Sequence, residues 1–187
     1  MSDLNSRTAL VPLAEGCEEI EVVTIIDVLR RANVKVTVAG IGSLNIIGAH
    51  GIHFEAATLI SKCLKKEYDL IALPGGMPGA ENLRDSKELT QLLHQQQHNN
   101  KLFAAICASP ALVLQHHGLI KDKRITCHPD FMDNLPHPQI VEMSTVCDKG
   151  CITSSGPGTA MEFALALVKE LCGEEVAADI AMAMVFR

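Results

Sequence analysis

Cys107 stands in "LFAAICASPALVLQHHG" where an apolar, strand-like run passes into helical spacing at Ser109-Pro110. A side chain at so abrupt a passage is lifted off the sheet, and its sulfur faces the unpaired N–H groups of the first helical turn. Helix N-termini and cationic neighbours bring a thiol from about 8.5 down to about 3.5–7.5, so the position predicts a nucleophilic thiolate. The alternative is a small buried hydrophobe, the ordinary state of an intracellular cysteine. The other six cysteines, at 17, 63, 127, 147, 151 and 172, lack this strand-to-helix setting.

Three further stretches carry groups that such a sulfur would use. Gly75 and Gly76, in "LPGG", can turn the backbone tightly and, together with the Ala108 N–H, cradle a carbonyl oxygen that becomes negative. In "EGCEEIE" helix geometry puts Glu21 in line with Ile25, Val28 and Ala32, and Glu18 with Val22, Ile25 and Leu29, whereas Glu19 leads toward Arg30. A carboxyl on the apolar side is costly when charged and unpaired, so Glu21 is expected to stay protonated and serve as an acid beside the sulfur. Glu18 is also explained by the positive end of a helix. His128, in "TCHP", is either a proton carrier for Cys107 or a hydrogen-bonded turn residue, and His137 follows it. His116 and His117 suit a helix C-terminus and are read as structural.

The elements that must position these groups are legible from periodicity. "RTALVPL", a helix over "CEEIEVVTIIDVLRRA" and "VKVTVAG" make a β-α-β unit with parallel strands. "NIIGAHGIHFEAATLI" suggests a small hairpin at the sheet's edge. "YDLIALPGG" and "LFAAIC" read as buried strands, each followed by a helix, "SKELTQLLHQQQHNN" with its Ser N-cap and "PALVLQHHG" ending at Gly118. A later pair, "IVEMSTVC" and "CITSS", precedes two helices, the first beginning near Pro157. Apolar strands alternating with helices predict an α/β fold, a mostly parallel sheet covered on both faces, in one domain over 1–187. Ligands of such sheets collect beyond the carboxyl ends of the strands, where "AEGCEEIE", "PGGMPGA" and Cys107 all fall.

Composition narrows the partners. A net charge of -6 offers no basic face, so nucleic acid and anionic membranes are not expected partners. No apolar stretch reaches the roughly 18 residues of a membrane span, and the start lacks a secretory pattern, so the expected location is the cytoplasm. Cys147 and Cys151 flank an Asp-Lys-Gly turn without a second ligand pair, so no metal is expected there. "SSGPGTAMEF" matches no phosphate-binding motif and reads as a helix start, and Met182 and Met184 as core or subunit contact.

Taken together, "AEGCEEIE", "LPGGMPGAENL", "AAICASPALVL", "TCHP" and "TSSGPGTAMEFAL" resemble the ThiJ/PfpI family, in the branch of the parkinsonism-associated protein deglycase and bacterial YajL. The resemblance spans nearly the whole chain. It implies a flavodoxin-like three-layer sandwich, a homodimer, a reactive Cys107, a protonated Glu21 touching the sulfur, and backbone donors at Gly76 and Ala108. It also matches His128 to the histidine of the deglycase branch. The implied activity is that of a glyoxalase or deglycase acting without a cofactor on methylglyoxal, other small reactive carbonyl compounds, or their adducts on amines and thiols. A redox-responsive chaperone or sensor, using oxidation of Cys107, is the second reading, and an amidase- or protease-type hydrolase the third. Where relatives often carry arginine this chain has His50 and Ser155, so an anion would be gripped differently.

Overall fold

The computed structural model describes residues 7–136 and 139–186, so His137 lies outside the described residues. β1 (Thr8–Leu13), α1 (Glu19–Arg31) and β2 (Lys35–Gly40) form the expected unit, β1 and β2 running parallel from Thr8↔Lys35 to Leu13↔Gly40. Next come β3 (Asn45–Ile47), β4 (His53–Glu55) and β5 (Thr58–Leu59), then β6 (Leu70–Leu73), α2 (Gly79–Arg84) and α3 (Lys87–His98). β7 (Leu102–Ile106) leads through Cys107 to a π-helical segment over Pro110–Gln115. β8 (Thr145–Asp148), β9 (Cys151–Ser154), α4 (Ala160–Cys172) and α5 (Glu174–Ala183) complete the described chain.

The strands make a seven-stranded sheet of order β5-β2-β1-β6-β7-β9-β8, parallel except for the β8–β9 pair. Side chains along β1 alternate between two apolar layers: Ala9, Val11 and Leu13 pack with α1, α4 and α5, whereas Leu10 joins the layer beneath α2 and α3. Burial on both faces is why these strands read as unbroken apolar runs. The order reverses between β1 and β6, which opens a crevice beyond their carboxyl ends.

Two expectations change in detail. The hairpin exists, but β3 and β4 pair only with each other, as a separate two-stranded sheet. It is tied to the β1–α1 loop by Gly16 N–H to Ile47 O at 2.8 Å and Ala49 N–H to Cys17 O at 2.9 Å. The edge of the main sheet is β5 instead. The segment after Cys107 is π-helical and shorter than expected, and His117, beyond it, hydrogen-bonds Arg84 O and Thr90 Oγ1 rather than capping a helix. The β8–β9 turn places Lys149 and Gly150 at positive φ, and Cys147 and Cys151 are free thiols. Among the described residues no helix is long and apolar enough to cross a membrane.

Ser86 caps α3 as expected, its Oγ accepting the Leu89 N–H at 3.2 Å. Replacing a capping hydroxyl costs about 1 kcal/mol, so Ser86→Ala is expected to lower unfolding stability by that amount in a urea titration, with the native circular dichroism retained.

Candidate active site

Cys107 is held by its own backbone. Its N–H donates to Ser154 O at 3.0 Å and its carbonyl accepts the His128 N–H at 2.8 Å, so it is clamped between the end of β9 and the segment around His128. Its φ of 64° lies in the left-handed region, where a residue with a Cβ is strained. Next to it, the buried Ser109 Oγ donates to Pro74 O at 2.6 Å and ties the β7 exit to the β6 exit. Cys107 itself is mostly buried but keeps partial exposure.

The β6 exit closes on the Cys107 sulfur because of its glycines. A Cβ on Gly75 would stand 2.6 Å from Cys107 Cβ and 3.1 Å from Glu21 Oε2, and Gly76 has a φ of 88°. The Gly75 N–H donates to Glu21 Oε2 at 2.6 Å, so that amide is occupied by the carboxyl. The N–H groups that approach the Cys107 sulfur are those of Gly76 and Ala108.

Glu21 points from the first turn of α1 into the interior and is fully buried. Its Oε1 has no hydrogen-bond partner among the described residues, and the carboxyl interacts with the neighbouring Cys107 thiol. Burial pushes Glu21 up to about 7 against the lowering pull of the Gly75 N–H, and the charge of Glu18 adds to the rise. Burial also pushes the Cys107 thiol up to about 12, with the Glu21 carboxylate adding to it and the Gly76 and Ala108 amides opposing.

The expected lowering of the thiol is therefore not found. Two amides do not offset burial and an adjacent carboxylate, and the sequence pattern gave no measure of either. The pair must instead be treated as one unit. One proton leaves it near pH 7, and the second is retained up to about 12. Between those limits the two groups hold one proton and one negative charge, so the sulfur can hand its proton to the carboxyl without adding charge to the buried site.

His128 is tied to Cys107 through its main chain, and its ring makes no hydrogen bond to the sulfur. Nδ1 accepts the Asp130 N–H at 3.3 Å, and the ring lies between Phe131 and Gly156. Among the described residues the thiol's side-chain partner is Glu21, and no hydrogen bond joins the imidazole to the sulfur. Ser155 Oγ turns away, bonding the carbonyls of Met143 and Ser144 at 3.3 Å each. His50 sits over α1, its Nδ1 3.0 Å from Glu19 Oε2. A cavity of about 560 Å³ opens on the other flank of β1, between Glu15, Ile41 and Ser86, and none of the site side chains lines it. Sequence reading missed the clamps at Ser109 and Ser154: both residues lie within the motifs, but the bonds they make run between separate stretches of chain and leave no local pattern.

Residues 7–170 match the model of the DJ-1/PfpI family. The chain is 46% identical over 167 residues to Protein DJ-1 homolog B of Arabidopsis thaliana, which covers 89% of this chain but only 38% of that longer protein. It is 36% identical over 172 residues to the Glutathione-independent glyoxalase DJR-1.2 of Caenorhabditis elegans, covering 90% of this chain and 91% of the relative. Among solved structures, that of oxidized Toxoplasma gondii DJ-1 superposes with a TM-score of 0.95 at 44% identity, covering 96% of this chain and 98% of the other.

Proposed function

The chain belongs to the DJ-1/PfpI family, and from that premise we propose that it is a cysteine-dependent glyoxalase or deglycase that turns methylglyoxal, or its early adducts on amines and thiols, into a hydroxy acid without a cofactor. The carrying observation is the buried carboxyl of Glu21, set against the Cys107 thiol with one oxygen that has no hydrogen-bond partner among the described residues. The glyoxalase name of the nematode relative supports the reading.

In this mechanism Sγ bonds to the aldehyde carbon as the thiol proton passes to Glu21. The aldehyde oxygen turns toward the Gly76 and Ala108 N–H groups, the donors left once Gly75 serves the carboxyl. A proton is then taken from the former aldehyde carbon, and the C–H electron pair forms an enediol. Reprotonation at the neighbouring carbon gives a lactoyl thioester. Glu21 and His128 are the proton carriers for these steps. Water cleaves the thioester, which releases lactate and restores the thiol. Lactate formed from methylglyoxal by the purified protein in the absence of glutathione tests the proposal, and no turnover under those conditions sinks it.

The partly exposed Cys107 with two amides aimed at its sulfur also favours a second reading, in which peroxide oxidises Cys107 to a sulfinic acid that those amides hold, as part of a protective role. Absence of turnover together with peroxide-dependent suppression of client aggregation would select it.

The partner that completes the protein is proposed to be a second copy. Ile20 (57% exposed) and Val23 (55%) share a face of α1, and the hairpin bonds set Ile47 and Ile52 beside its first turn. An apolar patch of this kind on a chain that resembles homodimers is expected to be covered. Ile20→Glu with Val23→Glu is expected to convert a dimer into a folded monomer in sedimentation analysis, and a wild-type monomer would contradict the assignment.

A further inference from the structure

We propose that Glu18, Glu19 and His50 form a binding site for a divalent transition-metal cation of the zinc class at the rim of the molecule. Glu18 and Glu19 are adjacent, His50 lies 31 positions beyond Glu19, and they are joined by the way the loop between β3 and β4 wraps the start of α1. His50 Nδ1 lies 3.0 Å from Glu19 Oε2 and 3.5 Å from Glu18 Oε2, and one ligand atom from each residue falls within 4.8 Å of the others. Donors held at about 2.0–2.2 Å around a tetrahedral ion stand roughly 3.4 Å from one another, close to the two distances that His50 Nδ1 makes with the carboxylates.

The site is built rather than incidental. Glu19 Oε1 accepts the N–H groups of His50 at 2.6 Å and Ile52 at 3.3 Å, which fixes the carboxylate and leaves Oε2 for the ion. Gly48 lets the loop approach closely, since a Cβ there would meet the Glu19 carboxyl. Glu18 supplies the second and independent observation. It is 7% exposed, and its carboxylate has no hydrogen bond among the described residues, only the 3.5 Å approach of Nδ1. That nitrogen carries a single hydrogen and stands nearer Glu19, which also accepts two backbone N–H groups, so Glu18 is left with the longer ion-pair contact alone. A dication offsets both charges, which a protonated imidazole cannot. Helix polarity favours the bare carboxylates and opposes a cation here, so binding has to come from the donor set. The His50 side chain is 72% exposed, which leaves the outer coordination positions to water or a small ligand. One imidazole and two carboxylates suit zinc, cobalt or manganese better than calcium.

The test is a Co²⁺ titration of the purified protein followed by visible absorption. The expected result is one ion per chain, d–d bands without sulfur-to-cobalt charge transfer, and displacement by Zn²⁺. His50→Ala, at an exposed position that leaves the fold intact, and Glu18→Gln are each expected to weaken binding by more than about tenfold. Cys107→Ser is expected to leave it unchanged, so the outcome is independent of whether the glyoxalase reading holds. Absence of saturable binding, a sulfur charge-transfer band, or full affinity in His50→Ala would overturn the proposal.

Discussion

Cys107→Ser is expected to abolish lactate formation from methylglyoxal, with a loss of at least about 10³-fold, because a nucleophile that works as a unit with its base cannot be partly replaced. No other thiol is placed to substitute. Cys17, Cys127 and Cys151 are buried, and burial pushes each of them up to about 12. Cys147 is exposed, but it sits on β8, where burial and the charge of Glu170 push its thiol up. The hydroxyl occupies nearly the same space, so the clamps at Ser154 and His128 and the unfolding midpoint should be retained. Substantial turnover in the variant would place the chemistry elsewhere.

Glu21→Gln is expected to move activity and stability in opposite directions. The amide keeps an acceptor for the Gly75 N–H but can neither take nor return a proton, so turnover should fall by about 10²–10⁴-fold. Stability should rise, by an amount that grows as the pH goes from about 4.5 to about 7 and stays constant above that. Glu21 titrates near 7 in the folded protein against 4.5 when unperturbed, so between those values the folded chain holds a proton that the unfolded chain has lost. Its favourable contribution is complete below about 4.5 and is lost as the pH rises through 7. Above that the buried charge costs about 3 kcal/mol, which the uncharged variant avoids. Urea unfolding at pH 8 should show the variant more stable by up to that amount, and the difference should vanish below about pH 4. A difference independent of pH would mean that Glu21 is not the titrating group. Loss of function with gained stability is the pattern of a residue kept for chemistry at a cost to the fold.

Much of this could be read from local pattern. The strand-to-helix joint at Cys107, the paired glycines at 75 and 76, and the inward phase of Glu21 follow from side-chain periodicity, which is a property of short stretches. What escaped was set by contact between stretches. The thiol's raised pKa depends on how deeply β6, β7 and α1 bury it together, and no spacing along the chain reports that depth. Gly75 looked like an oxyanion donor because only its flexibility was visible; its N–H is taken by a carboxyl 54 positions away. The hairpin was recognisable from its glycines, but its attachment to the β1–α1 loop rests on main-chain bonds that any residue type can make. The cluster of Glu18, Glu19 and His50 was invisible for the same reason.

The central claim is that Glu21 and Cys107 exchange one proton, and the rate of iodoacetamide alkylation at Cys107 against pH tests it most directly. The account predicts that wild-type reactivity rises with a midpoint near 7 and that Glu21→Gln lacks this step, reacting only as its own thiol ionises at higher pH. A single wild-type midpoint at the ordinary thiol value of about 8.5, or the same midpoint in both proteins, would contradict it.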